Sequence, residues 1–255
     1  ARLPTRFLSP PISGQPISME RCQLLLVLAG LAVALSGCGG DEKKANDTPA
    51  KLTSQTVTGG FTAHETFASL PDAGLSADFS AQLTAYFDAD TLNVRVDGQV
   101  TLKDLNVSEP QNFSVIVNTG EKRVTMHAAL WIETPIKVPA CTYRIVEGAP
   151  PMETIKGLLK DKLETRKPDG MEGGYRRWNL DVPELVGLTG HVSMDLDDGN
   201  GLRKVYESLR MNSTIGTEAE ATFAASDVKV GKPDAGLFQA PKDWGECVEA
   251  PRGAA

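Results

Sequence analysis

Apolar and polar side chains alternate through most of the chain beyond residue 75. A period of two residues is typical of β-strands that bury one face. Two short polar sequences, Asp88-Ala89-Asp90 and Asp97-Gly98, interrupt the first runs at intervals suited to tight turns. Strands that are neighbours in sequence are therefore expected to pair antiparallel. About ten strands are predicted, within Leu75 to Val107 and at Phe113 to Asn118, Arg123 to Thr134, Tyr143 to Val146, Tyr175 to Val182, His191 to Leu196, Leu202 to Met211 and Ala219 to Val230.

The segment from Pro151 to Thr165 has a different period. Its apolar residues recur at steps of three and four, and a proline stands near the first turn. The charged residues of the segment lie away from this apolar stripe, so an amphipathic helix with one buried face is predicted. The glycine-rich sequence that follows, residues 167–174, is expected to form a loop.

A single antiparallel sheet of this size must satisfy both its edges and its apolar face. It can close into a barrel or curl around the predicted helix, and both solutions leave a concave apolar interior. For each apolar residue that faces this interior, the alternative is an ordinary place in a packed core. The residues predicted to line a ligand cavity are Phe79, Leu83, Val94, Trp131, Ile155, Leu158, Leu159, Leu163 and Trp178.

The N-terminal part of the chain predicts export. Met19 is interpreted as the start, with residues 1–18 an upstream segment that is not part of the protein. Leu24 to Leu35 is an apolar run of about a dozen residues, which suits the core of a signal peptide and is short of the roughly 20 residues that span a bilayer. Residues 19–37 are therefore predicted to be a signal peptide and residues 38–55 a polar tether.

The sequence Leu35-Ser36-Gly37-Cys38 matches the bacterial lipobox, in which the leader is cut before a cysteine that carries a diacylglycerol. Cys38 is accordingly the predicted lipidation site, and the lipid would hold the protein at a membrane surface. Plain signal cleavage remains an alternative. Glycosylation sequons favour a eukaryotic secretory origin, and those in the domain lie at Asn106, Asn112 and Asn212.

Two cysteines, Cys141 and Cys247, remain in the predicted mature domain, residues 56–250. Two thiols in an oxidising compartment favour one structural disulfide. A metal or redox site is the alternative, but neither cysteine has the closely spaced cysteine or histidine that such a site needs.

Charge and motifs narrow the function. The formal net charge of -7 comes from acids scattered among bases, so nucleic acid is not an expected partner. The Asp195 to Gly201 sequence lacks the glycine and glutamate of a calcium loop and is interpreted as a turn. The three histidines, His64, His127 and His191, are far apart in sequence, and no nucleophile, phosphate or dinucleotide motif occurs. No enzyme activity, cofactor or metal is predicted.

The C-terminal sequences Ala221 to Val230 and Lys232 to Pro241 resemble the end of lipoprotein-localisation factors and of the related mycobacterial lipid-carrying lipoproteins. In that family a final strand precedes a short connector, a Leu-Phe pair and a proline. The strand pair Gly190 to Leu196 and Leu202 to Leu209 resembles the family's penultimate hairpin, so the resemblance covers about the last third of the domain.

The resemblance implies a mainly β fold, a curved antiparallel sheet that forms an incomplete β-barrel capped by one or two α-helices. It implies a carrier with a lipid or acylated protein as ligand. Together with the lipobox at Cys38, this predicts a monomeric, membrane-anchored lipoprotein at the periplasmic or outer cell-surface side. The absence of a clear N-terminal helix in the sequence departs from the family pattern. The alternative is a secreted, glycosylated β-domain with a filled core that acts as a protein-binding or scaffold module.

Overall fold

The computed structural model describes residues 49–67, 76–102, 111–119, 123–131, 140–147, 156–157, 160–185, 188–198, 201–211 and 217–249. The predicted leader and Cys38 lie outside these ranges. Twelve strands form one sheet: β1 (Gln55–Phe67), β2 (Ser76–Asp88), β3 (Asn93–Leu102), β4 (Gln111–Thr119), β5 (Arg123–Trp131), β6 (Ala140–Glu147), β7 (Gly170–Glu172), β8 (Tyr175–Leu185), β9 (Leu188–Leu196), β10 (Leu202–Met211), β11 (Thr217–Val230) and β12 (Val248–Glu249).

The strand order is β12-β6-β5-β4-β3-β2-β1-β11-β10-β9-β8-β7. Neighbours in sequence pair antiparallel from β1 to β6 and again from β7 to β11, which confirms the predicted meander. Pairing of β1 with β11 joins the two halves, and β12 adds to β6 in parallel. The prediction missed β1, β7 and β12. The 167–174 sequence, predicted as a loop, contributes β7 and the turn into β8.

One face of the sheet, called the inner face, carries the main hydrophobic core. Val57, Leu83, Phe87, Val115 and Phe223 lie on it, at alternate positions of their strands. Their exposed fractions are between 0% and 3%. Within the described residues no second sheet covers this face. The sheet therefore curves around its own core, which confirms the predicted open, curved antiparallel architecture.

A short helical segment, Asp161–Thr165, covers part of the inner face. Its one buried residue, Leu163, belongs to the main core, and the segment contacts β8. The N-terminal arm before β1 packs beside it, because the backbone N–H of Leu52 donates to Glu164 Oε1 at 3.1 Å. Of the predicted helix at residues 151–165, positions 156, 157 and 160 are also helical, and the other residues before Asp161 lie outside the described ranges.

The sheet does not close into a barrel. Strand β7 covers only the first part of β8, up to the pair Gly170 and Arg177, and β12 covers only Thr142 and Tyr143 of β6. The exposed part of β8 contains Pro183, which has no N–H to offer a further strand. This proline discourages edge-to-edge pairing with another chain.

The opposite face, called the outer face, is partly covered by a C-terminal strap, residues 232–249. A disulfide between Cys141 on β6 and Cys247 holds the strap, with a Cα–Cα distance of 4.6 Å, and confirms the predicted pairing. Trp244 of the strap packs with Ile116 and Ala129 in a second hydrophobic cluster. Strand β4 is consequently buried on both faces along most of its length.

Candidate functional site

Four of the predicted cavity residues are brought together in the main core. These are Leu83, Val94, Leu163 and Trp178, and their exposed fractions are 0% to 2%. Val94 and Trp178 lie at the end of the sheet where β1 begins and β2 ends, called the packed end; Leu83 lies near the middle of β2, and Leu163 lies in the helical segment. Side chains with so little exposure contact protein atoms on all sides. The hollow predicted around them is therefore filled at the packed end.

The remaining predicted cavity residues are not placed as side chains. Phe79 and Trp131 belong to β2 and β5, where the backbone of Phe79 pairs with Leu102 and that of Trp131 with Asn112. Both lie toward the end of the sheet opposite the packed end, and their side chains are outside the described part. Ile155, Leu158 and Leu159 also lie outside the described residues.

Of the predicted modification sites, only Asn112 lies within the described residues. Asn112 is exposed on the outer face of β4, while the hydroxyl of Ser114, the third residue of its sequon, donates to Asp97. Asn106 and Asn212 lie outside the described ranges, as does Cys38. The chain therefore presents one described acceptor asparagine to solvent.

Sequence reasoning missed a buried cation beside Trp178. Arg176 is only 2% exposed, and its guanidinium lies 5.3 Å from the centre of the Trp178 ring. One terminal nitrogen, Nη2, donates to the carbonyl of Asp197 at 2.9 Å. Burial lowers the pKa of Arg176, against the opposing effect of Asp198 and Asp197. The strand period was the available signal, since Arg176, Trp178 and Leu180 alternate along β8.

The outer face has an open trough of about 470 Å³ across β1 to β4. Arg95 and Asp97 form an ion pair of 2.8 Å in it, and Arg95 also donates to the carbonyl of Leu237 in the strap. The hydroxyls of Thr58 and Thr84 lie 3.0 Å apart. Arg95 bonds to Asp97 and Thr58 to Thr84, so these four side chains satisfy one another in pairs. Other residues of the trough include Gln82, Gln99, Asn112 and Ser114.

A Ser-His-Asp sequence of contacts crosses the outer face of β8 and β9. Nδ1 of His191 lies 3.2 Å from Asp181, and its Nε2 lies 3.3 Å from Ser193 Oγ. Ser193 donates to Asn179 at 2.8 Å, so its proton is directed away from the imidazole. Ser193 lies between two paired strands, so its own backbone N–H belongs to the sheet and is not aimed at an oxyanion. The arrangement therefore does not meet the geometric requirements of acyl transfer.

In the part of the chain that is described, no group of three histidine, cysteine, aspartate or glutamate side chains converges. In the same residues, no helix has both the length and the apolar character needed to cross a bilayer.

Comparison with known proteins adds no relative. No family model matches the chain, and no curated protein matches its sequence at a significant level.

Proposed function

We propose that this protein is a non-enzymatic, exported lipoprotein that carries a lipid or an acylated protein at the cell envelope, with Cys38 as its membrane anchor. The observation that supports this function best is an open, curved sheet with a continuous apolar face and no second sheet over it in the described structure. The acyl chain would bind against this inner face.

The helical segment is suited to act as a movable cover. Its described anchors are polar and near the surface: Glu164 accepts from Leu52, and Lys162 pairs with Asp169 at 3.0 Å. Leu163 is its buried apolar residue. Exposing one leucine costs about 2 to 3 kcal/mol, whereas each acyl methylene that leaves water contributes about 0.8 kcal/mol. A chain of a dozen carbons would offset the opening.

The packed end is already filled, so the ligand space needs another location. We place it between the helical segment and the part of the inner face that runs toward Phe79 and Trp131. The core in this direction contains three alanines, Ala63, Ala81 and Ala221, beside the larger Phe61 and Phe223. Small side chains on a concave face leave room for an acyl chain.

A displacement titration tests the carrier function. Dodecanoate should displace an environment-sensitive fluorescent fatty acid from the delipidated protein with saturable, one-to-one stoichiometry. Leu163→Ala loosens the cover and should raise the rate of ligand release severalfold, whereas the matched exposed change Lys160→Ala should leave it unchanged. Absence of saturable binding in the wild type would remove the carrier function.

A binding or scaffold module is the second candidate. The 0% to 2% exposure of Leu83, Val94, Leu163 and Trp178 favours it, because a filled core needs no ligand. The outer trough would then be the surface that meets a partner. The intact mass of the protein from its own host distinguishes a bacterial lipoprotein from a eukaryotic secreted glycoprotein. Diacylation at Cys38 and N-glycans at Asn106, Asn112 or Asn212 add different masses.

A further inference from the structure

The N-terminal arm, residues 49–54, lies on the inner face together with the helical segment. Two of its side chains, Ala50 and Leu52, belong to the main hydrophobic core, and their exposed fractions are 1% and 8%. Leu163 of the helical segment belongs to the same core and is fully buried. The arm and the helical segment therefore both cover part of the inner face.

A hydrogen bond joins these two parts of the cover. The backbone N–H of Leu52 donates to Glu164 Oε1 at 3.1 Å, although the two residues are 112 positions apart in the sequence. A bond from a backbone N–H to a carboxylate is charge-assisted and stronger than a neutral one. Among the described residues, it is the only hydrogen bond that connects residues 49–53 with another element.

Ser54 is the point where the arm is attached to the sheet. Its Oγ accepts from the N–H of Ala89 at 3.0 Å, and its carbonyl accepts from the N–H of Gly231 at 2.9 Å. The hydroxyl of Thr53, just before it, is buried without a hydrogen-bond partner in the described structure, which disfavours the packed position of the arm. Segments with few hydrogen bonds open more readily than a sheet. The arm can therefore leave the inner face by rotation at Ser54 while β1 stays paired.

We propose that the arm and the helical segment form a two-part cover that leaves the inner face as one unit. The bond between Leu52 and Glu164 is kept only if both parts move, and Leu52 and Leu163 are then exposed together. This inference rests on the proposed carrier function and adds that the acyl ligand is released only when the arm opens as well. Each buried leucine favours the closed form by roughly 10- to 100-fold.

Cysteine accessibility tests the coupling without a ligand. Ala50→Cys provides a buried probe in the arm, with Cys22 and Cys38 changed to serine, and its rate of reaction with a thiol reagent is measured. Leu163→Ala should raise this rate roughly tenfold or more, because the helical segment opens more often and takes the arm with it. Ile116→Ala, which truncates the outer-face cluster instead, should leave the rate unchanged.

The rate of dodecanoate release tests the consequence for the ligand. Leu52→Ala and Glu164→Ala should each raise it severalfold, whereas Glu164→Gln, which keeps an acceptor oxygen for the N–H of Leu52, should stay close to the wild type. Lys51→Ala changes the exposed neighbour of Leu52 and should have no effect.

Two results would overturn the two-part cover while the carrier function stands. One is a labelling rate of Ala50→Cys that does not respond to Leu163→Ala, and the other is a release rate that does not respond to Leu52→Ala. If dodecanoate does not bind at all, the carrier function is overturned, and the labelling rates still decide whether the arm and the helical segment open as one unit.

Discussion

The inner and outer faces of this sheet are stabilised in different ways, and β4 shows the difference within one strand. Val115 points into the main core, where burial is supplied by side chains from many strands. Its neighbour Ile116 points to the outer face, where burial is supplied by Trp244 of the disulfide-linked strap. The inner face therefore depends on collective apolar packing, and the outer face depends on one covalently held segment.

Truncation of the inner face should have the largest effect on stability. Phe87→Ala removes a fully buried ring and should lower the free energy of unfolding by about 3 to 5 kcal/mol, because a cavity remains. Thr84→Ala, on the outer face of the same strand, is the matched control and should cost less than about 1.5 kcal/mol through its lost hydroxyl contact. Urea unfolding measures both. Similar losses would show that the two faces do not differ as described.

Release of the C-terminal strap should have the second-largest effect on stability. Replacing both Cys141 and Cys247 with alanine should lower the free energy of unfolding by about 2 to 4 kcal/mol. The fluorescence of Trp244 should shift to longer wavelength as the strap leaves the outer face, while the inner-face Trp178 stays buried. Single-tryptophan variants separate the two signals. A red shift of Trp178 in the same protein would mean that the faces are coupled.

The smallest effect should be a pH dependence on the outer face. Burial lowers the pKa of His127, whose ring lies 6.1 Å from that of Tyr143. The unfolded chain therefore binds the proton more readily, and stability should fall as pH drops below the ordinary histidine range toward the lower folded pKa. His127→Phe should show a shallower loss between pH 7.5 and 5.5 in thermal unfolding. An unchanged slope would assign the loss to other groups.

The comparison also explains which parts of the fold the sequence predicts. Alternation placed Leu83, Val94 and Trp178 on one buried face because apolar packing is periodic along a strand. Cys141 and Cys247 were paired correctly because the domain contains no other cysteine. These features depend on residue type and local spacing, which a single sequence contains.

Sequence patterning did not predict strand β1, because the strand is specified by its pairing with β11 and not by its own alternation. Gly59 and Gly60 interrupt its apolar alternation, and glycine ordinarily weakens a strand. In the fold, a Cβ at Gly59 would clash with the carbonyl oxygen of Ala224, so the close approach of β11 excludes a side chain there. The spacing of residues within β1 contains no information on the position of β11, which is more than 150 residues later in the chain.

The site was only partly predictable for a similar reason. The strand period puts Arg176 on the same face as Trp178, but residue type predicts an exposed arginine, and the structure buries it beside the indole. Arginine is usually found at the surface, and its burial depends on the Asp197 carbonyl and the indole ring. Such partners become known only when the strands are assembled.

The carrier function is tested most directly by native mass spectrometry of the protein purified without detergent from its own host. An acyl compound enclosed by the curved sheet should remain bound in the gas phase and add the mass of one lipid, which unfolding should release. A domain that is repeatedly obtained at its bare polypeptide mass, and that takes up no acyl anion when one is supplied, would contradict the account.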